Sequence, residues 1–473
     1  MTFSKRILLS VIQDVIEQEQ KGYQSIMLVG RVIAKKCRRL YPVMVEGKFF
    51  KRIGNCFNQF FTWLDRKIGY GARCILSRHT KVNDNQVLFF AFNHMISCNL
   101  KYISEELIRR EAPVEIYWAV ATPAKNHVNT KEILAKEFGT LPSNDPHVKE
   151  LKAYVKEHVH IIQRNTYEFF QIAASSKVII INSLLGDKFF PFPVKKNQIV
   201  AETWHGSLGI KRFDPAHYNT NMSWPVAAER TGRLTTYCIS NSTFEDAVFR
   251  ETFWQKTPIL KLGHARNDIF FPQFAKTREY LRSEFIDDYS LPADVHFALY
   301  APTFRDDHNF EVYDLNAHQI VEALKKKFGG DWRLLLRYHD NDKKNELSSN
   351  TVASSEVIDV TAYPDMQELL AITEVGITDY SSWIYDYVLK RKPGFIFAMD
   401  VDEYNNERGF YFRLEDTPFP VARDSDELAA NIAQFDDALY QKKIDAFLSD
   451  KGSIDDGNAA VRIADKVLEW TKG

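Results

Sequence analysis

From Val87 to Ala398, short apolar runs alternate with longer amphipathic segments, and this alternation constrains the fold more than any other feature. The first series comprises Val87 to Phe92, Val114 to Val120, Val159 to Ile162, Val178 to Ile181, Ile199 to Thr203 and Thr236 to Ile239. After a charged stretch around residues 274–294 comes a second series: His296 to Tyr300, Trp332 to Arg337, Val357 to Val360, Val375 to Thr378 and Gly394 to Ala398. Runs this short and this uniformly apolar predict strands buried on both faces, hence parallel sheets covered by helices. The expectation is an α/β chain with two Rossmann-like halves that part near residue 270 and face a cleft. Expected boundaries are a basic segment over 1–80, Rossmann-like domains over 81–270 and 271–445, and a helical segment over 446–473. Toward the end, Ser425 is expected to cap a helix bearing Leu428, Ile432 and Phe435. Val461, Ala464 and Leu468 are expected to share the buried face of the final helix.

Composition excludes several classes. The chain has 473 residues, 45% hydrophobic and 26% charged, ordinary values for a globular protein. Its formal net charge of −1 hides an asymmetry, because residues 1–80 alone carry +10 and the remainder about −11. Arg31, Lys35, Lys36, Arg38, Arg39, Lys48, Lys51 and Arg52 are interleaved there with Ile33, Leu40, Phe49, Phe50, Phe57 and Trp63. Such a helical extension suits an anionic membrane surface, the alternative being a packed aromatic core beneath a solvated charged face. Nucleic acid is not expected as a partner, since the rest of the chain is acidic and holds no reader motif. The five cysteines are scattered without a C-x-x-C pair, which fits a reduced cytoplasmic setting. No run reaches the roughly 18 apolar residues of a membrane span, and Asp14, Glu17 and Glu19 interrupt any signal-peptide pattern.

Polar clusters fall where the runs end, the ligand-binding edge of open α/β sheets. In Val375 to Arg391 a buried strand pattern enters Asp379-Tyr380-Ser381-Ser382 and then an amphipathic helix. Two hydroxyls and unpaired backbone N–H groups at a helix start suit a phosphate. The plain alternative is a serine cap. In the first half, Thr203-Trp204-His205-Gly206 follows a strand and leads to Lys211, placing an imidazole beside a glycine that permits close approach. Its alternative is a structural histidine bonded to a loop carbonyl. Gly263-His264-Ala265-Arg266-Asn267-Asp268 is expected to turn a charged donor toward the cleft. Tyr300 to Asp306, with Arg305, and Arg337-Tyr338-His339-Asp340 add guanidinium and imidazole groups at successive strand ends.

These ordered motifs resemble the CDP-glycerol glycerophosphotransferases, the teichoic-acid polymerase and primase group. The resemblance covers roughly residues 150–470. It rests on Thr203-Trp-His-Gly206, Gly263-x-x-Arg-Asn-Asp268, Tyr300-Ala-Pro-Thr-x-Arg-Asp306 and Arg337-x-His339. Ile377-Thr-Asp-Tyr-Ser-Ser382 with Asp386-Tyr387, and Arg408-Gly-Phe-Tyr-Phe412, complete the series. It implies a GT-B fold with an N-terminal acceptor domain and a C-terminal CDP-donor domain, working at the inner face of the cytoplasmic membrane. It also implies that His205 and His339 correspond to the family's two essential histidines. The chain departs from the pattern at Ser207-Leu208, where the family has threonine-proline, and in the loop Asn93 to Asn99.

The expected reaction is transfer of glycerol phosphate, or a related polyol phosphate, from CDP-glycerol to a hydroxyl of a cell-surface glycan or lipid-linked precursor, with release of CMP. His205 is expected to accept the hydroxyl proton. Arg305, Arg337, His339, Thr378, Asp379, Ser381, Ser382 and Asp386 are expected around the donor, with Gly206, Lys211, Arg266, Asn267 and Arg408 along the cleft. No cofactor or metal is expected, because Asp400 and Asp402 read as a surface loop. Two other readings share these features: a GT-B glycosyltransferase using a nucleotide sugar, and a non-catalytic membrane-bound assembly subunit.

Overall fold

The computed structural model describes residues 71 and 73–472, apart from 183–192, 207–208, 210–211, 213–223, 253, 304–314, 339–354, 403 and 405–408. The basic segment before residue 71 therefore lies outside the described residues. Seven strands build the first sheet: β1 Asn83–Phe90, β2 Glu115–Val120, β3 Val159–Gln163, β4 Ser176–Ile181, β5 Ile199–Glu202, β6 Tyr237–Ser240 and β7 Ile259–Lys261. They run parallel in the order β3-β2-β1-β4-β5-β6-β7. The second sheet holds β8 His296–Tyr300, β9 Trp332–Leu336, β10 Val357–Asp359, β11 Val375–Thr378, β12 Gly394–Phe397 and β13 Val421–Ala422. It too is parallel, in the order β10-β9-β8-β11-β12-β13.

Burial on two faces explains the uniform apolar runs. Val87, Phe89, Val178 and Ile180 face a core that continues into the second sheet. Their neighbours Leu88, Phe90, Ile179 and Ile181 face another, packed with Phe169, Phe170 and Ala173 of the helix Tyr167–Ser175. Successive side chains point to opposite faces, so a strand covered on both sides needs no polar alternation. The strands absent from the sequence reading, β7 and β13, have three and two residues and carry too little pattern.

The charged stretch after the expected boundary near residue 270 packs against both halves. It contains the helix Ala275–Asp288, which packs against Thr130–Phe138 on one side and Met366–Ile372 on the other. The final helix Ala459–Lys472 returns to the first half, against the helix Cys98–Arg109 and strands β1 and β4. Its buried face is Ala460, Ile463, Ala464, Val467 and Trp470, while Val461 and Leu468 sit at its half-buried margins. The helix Ser425–Ala433 is capped by Asp424, which accepts from the Glu427 N–H, and Ser425 is its first residue. No described helix is long and apolar enough to cross a membrane.

Candidate active site

In each sheet the strand order reverses once, between β1 and β4 and between β8 and β11, and polar turns gather at the carboxyl ends beside those two points. After β5 the chain makes an unusual turn: Trp204 has φ 53, a left-handed conformation that side chains other than glycine seldom adopt. Three contacts hold it. The Trp204 N–H donates to Glu202 Oε1 at 2.7 Å, and Asn99 Nδ2 donates to the carbonyls of Thr203 and Trp204 at 3.1 and 3.2 Å.

The turn delivers a half-buried His205 to the end of β4. Its Nδ1 lies 2.7 Å from the Asn182 carbonyl. A carbonyl can only accept, so Nδ1 carries the proton and Nε2 is the basic nitrogen of the neutral ring. The Asn182 side chain meanwhile accepts the Phe92 N–H at 2.8 Å, and the Phe92 ring stacks on the imidazole at 4.6 Å. Residues closing β1, β4 and β5 thus fix one imidazole. Bonding to a loop carbonyl, the structural alternative for this histidine, is what selects a basic tautomer.

Across the cleft, Asp379 is buried and its Oδ1 accepts from the backbone N–H groups of Thr303 and Tyr380, at 2.8 and 2.5 Å. Thr378 Oγ1 donates to the Ala301 carbonyl at 2.7 Å. These two residues, expected among the donor ligands, brace the turn from inside by tying the end of β11 to the chain leaving β8. Asp400, expected in a surface loop, braces it as well: it accepts from the Tyr380 hydroxyl at 2.8 Å, and Tyr380 stacks on Tyr404. Asp402 is exposed and pairs with Arg423. Ser381 and Ser382 remain half-buried. Ser382 occupies the N-cap position of the helix Trp383–Tyr387 without making a side-chain cap bond. That helix is only five residues long before a 3-10 turn, so the helix dipole expected at this start is a short one.

The two turns meet. A Cβ at Gly206 would lie at ordinary contact distance, 3.5 Å, from the Ser382 hydroxyl oxygen, so the His205 turn lies directly against the serine turn; the tighter approach, 3.1 Å, is to Trp204 Nε1.

The Gly263 to Asp268 segment does something else. Arg266 was expected to face the cleft and Asp386 to contact donor; instead they are buried against each other, with Nη2 2.9 Å from Asp386 Oδ2 and 3.1 Å from Oδ1. Asn267, also expected in the cleft, is fully buried between Asp455 and Gln367. Asp268 accepts from the N–H groups of Ala459 and Ala460, holding the start of the final helix. Gly263, at φ 89, leaves no room for a Cβ, which would lie 2.8 Å from Asp455 Oδ1. The segment clasps the two halves, and the Arg266 N–H donates to Asn99 Oδ1 at 3.1 Å, linking the clasp to the Trp204 turn.

Lys211, Arg305, His339 and Arg408 lie outside the described residues. Arg337 is half-buried at the end of β9, its N–H bonded to the Tyr300 carbonyl. Next to Lys211, Arg212 joins the halves through the carbonyls of Gly409 and Phe410, each at 3.0 Å. Among the described residues one His/Glu group has metal-ligand spacing, His318, Glu322 and Glu356. Glu356 immediately precedes β10, at the opposite end of the sheet from Ser381, and Lys325 pairs with both glutamates. Sequence reasoning missed Asn99, Asn182 and Glu202; for Asn182 and Glu202 the available signal was a polar residue at the end of an apolar run.

The family model described as CDP-Glycerol:Poly(glycerophosphate) glycerophosphotransferase matches residues 73–469. The teichoic acid poly(glycerol phosphate) polymerase of Staphylococcus epidermidis is 33% identical over 326 residues, 65% of this chain and 43% of that protein. The teichoic acid glycerol-phosphate transferase of Staphylococcus aureus is 25% identical over 390 residues, 73% of this chain and 94% of that protein. The chain therefore spans less than half of the first relative and nearly all of the second. A structure of the wall teichoic acid polymerase TagF superposes with a TM-score of 0.69 at 28% identity, covering 88% of this chain and 98% of that one. A TagF variant soaked with CDPG gives 0.69 at 26% identity, with the same coverage. The fold is GT-B-like, and the chain belongs to the CDP-glycerol:poly(glycerophosphate) glycerophosphotransferase family.

Proposed function

We propose that this protein transfers glycerol phosphate from CDP-glycerol to a hydroxyl of a teichoic-acid-like or other cell-surface glycan precursor, forming a phosphodiester and releasing CMP. The observation that supports it best is the approach of Gly206 to Ser382, which sets a basic imidazole opposite hydroxyl and N–H donors. In this reading residues 81–270 receive the acceptor and residues 271–445 the donor. His205 Nε2 takes the proton as the acceptor oxygen attacks the phosphorus bearing glycerol, and the bond from that phosphorus to CMP breaks. Ser381, Ser382, Arg305, Arg337 and His339 hold the diphosphate and stabilise charge on the departing CMP. Incubation with CDP-glycerol and CDP-ribitol, followed by mass spectrometry, tests the reading. An acceptor that gains polyol phosphate with stoichiometric CMP supports it, whereas a product without phosphorus, or no CMP, overturns it.

The setting follows from the same chemistry. A glycan precursor carried on lipid would bring the enzyme to the inner face of the cytoplasmic membrane, where residues 1–80 add about 1 kcal/mol per Lys or Arg near anionic headgroups. Full-length protein should sediment with anionic vesicles and lose that binding when Lys35, Lys36, Arg38 and Arg39 become alanine. Equal binding to neutral vesicles would refute the electrostatic attachment.

A further inference from the structure

Glu202 ends β5 and is fully buried. Its register partners in the adjacent strands are Ile181 and Cys238. No lysine, arginine or histidine among the described residues pairs with it, and its Oε2 has no hydrogen-bond partner. Burial without a countercharge holds its carboxyl well above the usual carboxylate range. Its Oε1 accepts the Trp204 N–H at 2.7 Å, at the residue whose backbone is left-handed. His205 comes next.

We infer that Glu202 is a positioning residue: its Oε1 anchors the left-handed Trp204 turn and thereby sets the orientation of His205 between Asn182 and Phe92. The inference rests on the proposed role of His205. A left-handed non-glycine residue persists only where its surroundings over-determine it. Asn99 secures the carbonyls of Thr203 and Trp204, on either side of the left-handed residue, and Glu202 secures the Trp204 N–H. Without that anchor the turn can relax toward ordinary backbone, swinging the imidazole off the Asn182 carbonyl while the serine turn stays intact. Glutamine supplies the same acceptor without a titrating proton; methionine fills the space without an acceptor.

The test measures CMP release and CDP-glycerol affinity for E202Q, E202M, H205A and the double variant E202M/H205A, with melting temperatures alongside. E202Q should stay within about 3-fold of wild type. E202M should lose about 30-fold or more in turnover with donor affinity unchanged, and should cost less than about 3-fold further once His205 is gone, the non-additivity of residues acting as a unit. If E202M does not fold, E202A takes its place in both backgrounds. Equal losses in the two backgrounds, wild-type turnover by E202M, or an E202Q as poor as E202M would each overturn the inference. Near-normal turnover by H205A would instead remove the role of His205 itself, so the two failures are distinguishable.

Discussion

Two polar motifs leave neighbouring stretches of the first sheet and look alike as sequence: Thr203 to Gly206 after β5, and Gly263 to Asp268 after β7. Folded, they diverge. The first keeps a half-buried imidazole at the cleft; in the second Arg266, Asn267 and Asp268 are buried and paired with the second half or the final helix. A polar cluster at a strand end is thus left open at the edge of the sheet or buried as a clasp, and its partners decide which. Changes to the clasp should register first in stability, and changes to the turn in rate at unchanged stability.

The largest effect is expected from breaking the clasp. Arg266→Ala or Asp386→Ala strands a buried charge and should cost about 3–5 kcal/mol of stability, whereas replacing both by apolar residues should recover most of it. Denaturant unfolding of the singles and the double decides, and single variants of wild-type stability would show that the pair is not the clasp. Next comes His205→Ala, expected to lower turnover about 10²-fold or more with CDP affinity and melting temperature nearly unchanged. Melting well below wild type would make His205 another structural group and erase the contrast. Smaller again, Ser381→Ala and His339→Ala should each weaken CDP binding about 10-fold by calorimetry along with turnover, as loss of contacts made in both ground and transition state. Unchanged affinity in both would move the donor site.

A pH dependence sharpens the clasp side. Lys101 lies between the halves, 2.7 Å from Glu132, 3.7 Å from Glu105 and 4.0 Å from Asp365, and bonded to Glu368. The Tyr102 and Tyr363 rings border the cluster, and Arg337 acts on Asp365 from β9. One cation cannot balance four carboxylates, two of them buried and two half-buried, and burial pushes Glu132 up to about 7. A carboxyl raised on folding contributes stability that is complete below its unfolded pKa of about 4.3. That contribution is lost as pH rises through about 7. Melting temperature should therefore fall between about pH 5 and pH 8, and Glu132→Gln should flatten the slope; a slope of opposite sign would refute the cluster's proton. The smallest expected effect is none: if the serine turn and cationic side chains hold the diphosphate as proposed, chelator-treated enzyme should retain turnover. Loss restored by magnesium would contradict this.

Much of the architecture was legible in the sequence. Strands such as Val178 to Ile181 are uniformly apolar because both faces are covered, and uniform burial is a property that composition records residue by residue. The turns at His205 and Ser381 were legible for a related reason: polar residues that interrupt such runs at strand ends have few places to go except the ligand-binding edge. Partner choice was not legible. Nothing local distinguishes Arg266, which found Asp386 120 residues away, from an arginine that faces the cleft. Thr378 and Asp379 turned inward because the chain leaving β8 offered Ala301 and Thr303 to bond. Asn99 and Asn182 matter only through the ends of other strands brought beside them, and Glu202 through the burial that those strands impose on it. Periodicity reports whether a residue is buried, which each side chain settles against water alone. The tautomer of His205 depends on a carbonyl 23 residues away at the end of another strand, and the Arg266–Asp386 pairing and the approach of Gly206 to Ser382 on contacts across more than a hundred residues; only the closed tertiary structure decided them.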